Sequence, residues 1–268
     1  MEAPVANDAE ARVRVAVDAA RTAGSVLLSR WGRRDAGLST KTTTTDVVLD
    51  ADRAAEAEVV RILRSAYPDD AIVAEEGSGV AGRSAQRWYV DPLDGTVNYL
   101  YGIPHYAVAI ACEDDTGLLA SVVYDPSRDE LFTAARGAGA WLRSERLAVS
   151  GAADISRSLV ATGFAYVAEA RAEQARILDG VLPKVRDIRR FGSAQLDLAS
   201  TAMGRVDAYF ESVDKPWDWK AGALLVQEAG GRVSELPQAR PGQPHIVASA
   251  PRIHDALVAL LRDAVQRA

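Results

Sequence analysis

The sequence contains a single cysteine, Cys112, among its 268 residues. One cysteine cannot form a disulfide within the chain, which favours a reducing compartment such as the cytoplasm. Cys112 follows the apolar run YAVAIA. We therefore expect a buried structural thiol there rather than a catalytic nucleophile.

The chain also lacks long apolar segments, a basic excess and internal repeats. No run of about 18 apolar residues occurs, so no membrane-spanning helix is expected. The segment MEAPVANDAEARVRV has no basic start followed by an apolar core, which argues against a signal peptide. The formal charge of −6 disfavours general binding to nucleic acid or to acidic membranes. We interpret short basic clusters such as RDIRR (186–190) as solvated faces.

The sequence does have enough apolar residues for a large α/β core. Hydrophobic residues make up 48% of the chain, which fits one big domain or two tightly joined halves. Three segments separated by the turn sequences DDTG and PSRD predict an antiparallel sheet: 106–114, 118–126 and 130–137. Helical patterns are predicted over these ranges: 8–31, 50–66, 168–182, 193–204, 218–231 and 251–267. We predict layers of helix and mixed sheet, with halves 1–150 and 151–268 in one compact unit.

Two acids lie close together in the motif WYVDPLDGTVNYLYGIPHYAVAIA (88–111). Pro92 has no N–H, so the strand is predicted to end at Asp91 and a turn to bring Asp94 back beside it. Gly95 permits a tight turn, and Thr96 can begin a helix whose free N–H groups attract an anion. Adjacent carboxylates repel each other unless a cation lies between them. Mg²⁺, with oxygen ligands at about 2.1 Å, fits such a pair.

Other acids support a metal cluster, although none is decisive alone. Glu75 and Glu76 end the predicted strand that precedes the motif strand. Asp218, in PWDWKAG, begins a predicted helix, where an ordinary N-cap is the more usual interpretation. Asp50 and Asp52, in VVLDAD, are interpreted equally well as a solvated helix start. The combination of acid pairs, a Gly-Thr helix start and a distant Trp-Asp predicts the cluster.

The motif DPLDGT is similar to the Asp-x-Asp-Gly-Thr signature of haloacid-dehalogenase phosphatases, which use an aspartate nucleophile. Here two residues separate the acids, and one extra residue turns a side chain to the other face of a strand. The Lys and paired Asp residues of that family are also missing downstream. We therefore disfavour that mechanism.

The sequence as a whole resembles the inositol monophosphatase family, within the Mg²⁺-dependent, lithium-sensitive phosphatase superfamily that includes fructose-1,6-bisphosphatase. Three blocks carry the resemblance: AEEG (74–77), the 88–111 motif and PWDWKAGALLVQEAGG (216–231). Two further segments are similar: KTTTTDVVLDAD (41–52) and RRFGSAQLDLASTAMGRVDAYFE (189–211). The resemblance implies a layered αβαβα fold, a homodimer and two to three Mg²⁺ ions per site.

The resemblance also implies roles for individual residues. Five would hold metals: Glu75, Asp91, the backbone carbonyl of Leu93, Asp94 and Asp218. Three would be catalytic: Asp52, Glu75 and Thr96, of which Thr96 and Asp52 would orient and deprotonate the attacking water. Eight would line the substrate pocket: Asp94, Gly95, Thr96, Gly192, Ser193, Ala194, Glu211 and Asp218. Glu76 would support the ligands from behind, and Lys41 would lie on a mobile loop over the site.

A few residues depart from the family pattern. Leu49 stands where many relatives have threonine, and little effect is expected. Trp219 and Lys220 stand where small residues are usual; Lys220 is expected to point to solvent, the alternative being a positive charge near the pocket. Gln195 stands where alanine is frequent, so the polarity of the pocket is expected to differ.

The expected activity is hydrolysis of inositol 1-phosphate or a similar small polyol phosphate by a phosphoric monoester hydrolase. Glu211 favours a hydroxyl-rich substrate, because a carboxylate accepts hydrogen bonds from hydroxyls and repels a second phosphate. Histidinol phosphate is the alternative substrate; bisphosphates are less favoured. A non-catalytic role with transcription or ribosome-assembly machinery, as in some bacterial relatives, stays open. We expect a cytoplasmic homodimer.

Overall fold

The computed structural model describes residues 3–32, 39–40, 47–48 and 50–268, and the side chains of 8–32 and 50–268. The helices within these ranges are α1 (Ala3–Arg30), α2 (Asp50–Ala66), α3 (Thr96–Leu100), α4 (Ala168–Val181), α5 (Ala194–Ala202), α6 (Lys220–Glu228) and α7 (His254–Arg267). The strands are β1 (Ser39–Thr40), β2 (Val47–Val48), β3 (Ala71–Ala74), β4 (Arg87–Asp94), β5 (Ala107–Asp114), β6 (Gly117–Asp125), β7 (Glu130–Ala135), β8 (Gly139–Leu142), β9 (Glu145–Arg146), β10 (Leu159–Thr162), β11 (Asp187–Arg189), β12 (Ala208–Glu211), β13 (Arg232–Glu235) and β14 (Ile246–Ser249).

The first sheet has the strand order β3-β4-β5-β6-β7-β8-β9. Only the β3–β4 pair is parallel, so the predicted antiparallel segment from β5 to β7 is confirmed. The amphipathic helices α1 and α2 cover one face of this sheet, and Ala16, Ala20 and Leu27 of α1 are fully buried there. Cys112 of β5 lies in the same core, and burial raises the pKa of its thiol to about 12.

The second sheet has the order β11-β10-β12-β14-β13 and mixes parallel with antiparallel pairs. Helices α5 and α6 lie between the two sheets, where Leu198 and Leu224 pack against residues of both. Helices α4 and α7 cover the outer face of the second sheet. The layers therefore follow the order αβαβα, which confirms the predicted fold with mixed sheets. The division into halves 1–150 and 151–268 stays a prediction.

The prediction that the motif strand ends at Asp91 is wrong, since β4 continues through Pro92 to Asp94. On the β3 side, the ladder ends where the N–H of Glu75 donates to the carbonyl of Val90 at 3.2 Å, so no N–H is needed at Pro92. On the β5 side, the register shifts between Asp91 and Asp94. A proline is tolerated at such an irregularity because no regular ladder bond is lost there.

No described helix is both long enough and apolar enough to cross a bilayer.

Candidate active site

A cleft of about 280 Å³ opens where the carboxyl ends of β3 and β4 face the start of α5. The third wall is a short 3₁₀ helix, Pro216–Asp218. The described lining contains every residue predicted to bind a metal or the substrate: Glu75, Asp91, Leu93, Asp94, Gly95, Thr96, Gly192, Ser193, Ala194, Glu211 and Asp218. The structure thus brings these residues together from four parts of the chain, while their individual roles stay predictions.

Two described residues of the prediction, Asp52 and Glu76, do not line the cleft. Asp52 is buried in the first turn of α2 and is not among the described lining residues. Glu76 also lies outside that lining, and its backbone N–H donates to Glu56 Oε2 at 2.6 Å. Lys41 falls outside the described residues, as does Leu49.

Glu56 supports the turn that follows β3 and carries Glu75. Besides the N–H of Glu76, its carboxylate accepts the N–H of Ser78 at 2.9 Å and the Ser78 hydroxyl at 2.6 Å. Glu56 is only 1% exposed. The sequence signal for it was an acid on the inner, apolar face of a predicted helix, which sequence reasoning passed over.

We call the cleft acids Glu75, Asp91, Asp94 and Asp218 the acidic wall. Asp91 lies among the other three and is 3% exposed. Its Oδ1 accepts the backbone N–H of Leu93 at 3.0 Å. Burial raises the pKa of its carboxyl well above the ordinary value, and the charges of Glu75, Asp94 and Asp218 raise it further. Three acids therefore surround one buried carboxylate.

Asp94 is hydrogen-bonded to the N-terminus of α5. It accepts the Ser193 hydroxyl at 2.5 Å, the N–H of Gln195 at 2.7 Å and the N–H of Ala194 at 3.3 Å. Free N–H groups at a helix start stabilise a negative charge. Burial nevertheless raises the pKa of Asp94 to about 6, because the hydrogen bonds offset only part of the desolvation cost. Ser193 also caps α5, since its Oγ accepts the N–H of Leu196 at 3.2 Å.

The turn after Asp94 is made by Gly95 and Thr96. Gly95 has φ +92°, a left-handed conformation that glycine adopts without strain. Thr96 begins α3, as predicted, and its hydroxyl donates to the carbonyl of Leu93 at 3.0 Å. The carbonyl that the resemblance assigns to a metal thus has the Thr96 hydroxyl as a direct neighbour.

Glu211 closes the opposite side of the cleft from the end of β12. The Tyr209 hydroxyl donates to its Oε2 at 3.0 Å. Burial raises the pKa of the Glu211 carboxyl to about 7. A Cβ on Gly163 would lie 2.0 Å from Glu211 Oε1, so only glycine leaves room for this carboxylate.

Asp218 does not act as a helix cap, because the residue before α6 is Trp219 and no side chain caps that helix. Lys220 neither points to solvent nor lines the cleft; it forms an ion pair with Glu113 of β5, and its Nζ lies 4.1 Å from the centre of the Tyr89 ring. Gln195 is fully buried and likewise absent from the described lining, so it does not set the polarity of the cleft.

Some lining residues were missed by sequence reasoning: Gly163, Phe164, Ala165, Tyr166, Val167, Arg190, Ser212, Val213 and Asp214. Arg190 is the single basic side chain of the described lining, although its RDIRR segment was interpreted as a solvated face. Its position two residues before GSA (192–194) was the available signal. Phe164, Tyr166 and Val167 follow β10, and nothing in their pattern distinguished them from an ordinary loop.

The donor chemistry of the acidic wall fits Mg²⁺. In the described chain no three acidic, histidine or cysteine side chains are already placed as a metal ligand set. The oxygens of Asp91, Asp94 and Asp218 are nevertheless gathered in one cleft, and among the ion pairs found between described residues none involves these three. The charges of neighbouring acids raise the pKa of each carboxyl group, and a cation between them relieves this repulsion. Mg²⁺ is a hard cation that prefers such oxygen ligands.

Comparisons with known proteins agree with this geometry. Residues 8–266 match the model of the inositol monophosphatase family. The Nus factor SuhB of Escherichia coli strain K12 is 41% identical over 94% of this chain and 96% of its own. The crystal structure of the extragenic suppressor protein SuhB of Bartonella henselae is 38% identical, with a TM-score of 0.86 over 96% of this chain and 99% of that one. An inositol monophosphatase from Anabaena is 34% identical, with a TM-score of 0.82 over 95% and 96% of the two chains.

Proposed function

Because the chain belongs to the inositol monophosphatase family, we propose that it is a Mg²⁺-dependent phosphomonoesterase acting on inositol 1-phosphate or a similar small polyol phosphate. The observation that carries the proposal is the gathering of Glu75, Asp91, Asp94 and Asp218 in one cleft, with Asp91 buried among acids. A fold alone would not carry it, since function depends on the site.

The metal would be held by carboxylates of the acidic wall and one carbonyl: Glu75, Asp91, Leu93 (carbonyl), Asp94 and Asp218. Two to three Mg²⁺ ions would supply positive charge against the phosphate and lower the pKa of a bound water. The ligands come from the ends of two strands and from a 3₁₀ helix. They are therefore fixed by backbone rather than by long flexible loops.

The remaining residues would position the water and the ester. Thr96 would hold the attacking water through its hydroxyl, and Asp52, buried in α2, would take the proton. The backbone N–H groups of Gly95 and Thr96 would bind the phosphate oxygens at the start of α3. Glu211, oriented by Tyr209, would accept hydrogen bonds from hydroxyls of the leaving group.

The first test is phosphate release with Mg²⁺ against a matched panel of esters. The panel contains inositol 1-phosphate, histidinol phosphate, fructose 1,6-bisphosphate and adenosine 3′,5′-bisphosphate, compared by kcat/KM. A preference of about tenfold for inositol phosphate, roughly 1.4 kcal/mol in transition-state binding, supports the proposal. A tenfold preference for histidinol phosphate instead would leave the proposed metal site intact but would indicate a role in histidine biosynthesis.

Two further properties belong to the same proposal. Lithium at millimolar concentration should inhibit by occupying a Mg²⁺ position, and insensitivity would indicate a changed second metal site. The protein should elute as a homodimer, which light scattering coupled to gel filtration measures directly. We also propose that it is cytoplasmic.

A second candidate function follows from the name of the relatives. Proteins called Nus factor SuhB are 40–43% identical to this chain, so we also propose a non-catalytic role with transcription machinery. The Asp94→Asn variant separates the two roles. If it binds purified transcription complexes as well as the wild-type protein does, while releasing no phosphate, the second role is independent of catalysis; binding by neither form would eliminate it.

A further inference from the structure

The side chain of Gln195 joins α5 to the segment that carries Asp218. Its Nε2 donates to the carbonyl of Trp217 at 2.6 Å, and its Oε1 accepts the N–H of Gly222 at 2.7 Å. Gln195 is fully buried, and its own backbone N–H donates to Asp94 at 2.7 Å. Gln195 therefore bonds both to Asp94 and to the backbone on either side of Asp218.

The 3₁₀ helix that ends at Asp218 is three residues long and has no side-chain cap, and α6 after it also begins without one. Carbonyl and N–H groups at such ends need partners when they are buried. The amide of Gln195 supplies one donor and one acceptor, which match the Trp217 carbonyl and the Gly222 N–H.

A second contact braces the same segment from the first sheet. Lys220 forms an ion pair with Glu113 of β5, while its ammonium lies over the Tyr89 ring of β4. The Tyr89 hydroxyl donates to the same Glu113. Two of the residues that depart from the family pattern, Gln195 and Lys220, thus hold the Asp218 segment between α5 and the first sheet.

We propose that Gln195 is a positioning residue that holds Asp218 in place relative to Asp94, and so strengthens Mg²⁺ binding by this chain. The inference rests on the proposed function, because it assumes that Asp94 and Asp218 share a metal. Groups that orient metal ligands without touching the metal typically change its affinity about 10- to 100-fold when they are removed.

A merely structural role for Gln195 would have a different consequence. Loss of two buried hydrogen bonds would lower the melting temperature equally with and without Mg²⁺. A positioning role predicts in addition a weaker response to Mg²⁺. Gln243 provides the matched control: it is also a buried glutamine, its Oε1 accepts the N–H of Ala239 at 2.9 Å, and it does not line the cleft.

The experiment titrates Mg²⁺ against the melting temperature of four proteins: wild type, Gln195→Met, Gln195→Ala and Gln243→Met. Methionine fills a similar volume without hydrogen-bonding strongly, and alanine is the residue frequent in the family. We expect the Gln195 variants to need about 10-fold more Mg²⁺ than the wild-type protein for the same rise in melting temperature, with kcat recovering at high Mg²⁺. Gln243→Met should melt lower but show the wild-type rise at each Mg²⁺ concentration.

The outcomes separate the two proposals. If Mg²⁺ raises the melting temperature of the wild-type protein and of both Gln195 variants by the same amount at each concentration, the positioning role alone is overturned. No rise in the wild-type protein would overturn the proposed Mg²⁺ site and this inference with it. If Gln195→Met fails to fold, Gln195→Ala alone decides between these results.

Discussion

Two buried acidic groups lie at opposite ends of the parallel pair β3 and β4, and they differ in their partners. At the amino end, Asp70 Oδ2 accepts Arg12 Nη1 at 2.5 Å and the Trp88 indole N–H at 2.9 Å, and Oδ1 accepts the Ser84 hydroxyl at 2.7 Å. At the carboxyl end, Asp91 accepts one backbone N–H and shares a side-chain hydrogen bond with Glu75, and the charges near it are those of acids. Both aspartates are at most 5% exposed.

The difference separates a buried charge that the fold itself compensates from one that, under the proposed function, a metal would compensate. Arg12, 6% exposed, compensates Asp70 and packs over the Tyr67 ring at 4.2 Å. A buried charge with a complete set of partners is tolerated, whereas an uncompensated one costs several kcal/mol. The acids around Asp91 therefore lower stability on their own, and a cation would reverse that cost.

The largest effect is expected from Asp91→Asn, which removes the central acid of the site. Phosphate release with Mg²⁺ should fall about a thousandfold or more, about 4 kcal/mol in transition-state free energy. The melting temperature without metal should stay unchanged or rise, because the amide removes a buried repulsive charge. Steady-state kinetics and calorimetry in chelator measure both; activity near wild type would remove the metal-cluster proposal.

The opposite change is expected at the other end of the strands. Arg12→Met should lower the free energy of unfolding by roughly 3 kcal/mol, because Asp70 is left buried without its cation. The Trp88 and Ser84 hydrogen bonds remain and keep the loss at the lower end of the range for broken buried pairs. Activity per folded molecule should be unchanged at low temperature. Urea unfolding gives the stability; a loss of activity with full stability would contradict the division of roles.

Stability in chelator should decrease as the pH rises. The folded-state pKa of Asp94 is about 6 against an ordinary 3.8, and that of Glu211 is about 7 against 4.5. Because the folded protein holds these protons more tightly than the unfolded chain, their contribution is full below about pH 4 and is lost by about pH 7. The loss is on the order of 3 kcal/mol for either group.

Saturating Mg²⁺ sharpens this test, because the cation stabilises the ionised acids. The difference in melting temperature with and without Mg²⁺ should therefore grow from pH 4.5 to pH 7.5. In Asp94→Asn the growth should be smaller. A difference that is constant over this range would mean that the site acids do not titrate there.

Which acids meet at the site was more predictable from the sequence than the hydrogen bonds and ion pairs around them. Strand ends, Gly95 and the Trp-Asp pair are local features, so Asp91, Asp94 and Asp218 were assigned to one cluster from spacing and resemblance. β4 can pass Pro92 because the β3 ladder ends beside it and the register with β5 shifts there, and no local pattern contains either feature. The side chain of Lys220 turned to Glu113, a partner 107 residues away, for the same reason.

The bonds from Asp94 to the start of α5 were beyond sequence reasoning in another way. Ser193 and Ala194 line the cleft and donate to Asp94, a role that the sequence did not indicate; their predicted substrate contact stays a prediction. Arg190 was assigned to solvent because a short basic cluster usually is solvated, while the turn before α5 directs it to the cleft. The direction of a side chain depends on its neighbours in space, and at this site those neighbours lie about a hundred residues away in the sequence.

The smallest effect is expected from Glu211→Gln, which changes a site acid that has a partner. Tyr209 still donates to the amide oxygen, so the fold and phosphate binding should be retained. The kcat/KM for the polyol phosphate should fall about tenfold, roughly 1.4 kcal/mol, because a neutral amide accepts hydroxyl hydrogen bonds less strongly. The kcat/KM panel measures this, with inorganic phosphate inhibition as the control. Glu211 thus lies between the two extremes, an acid satisfied like Asp70 yet open to a ligand like Asp91, and an unchanged panel would place it with Asp70.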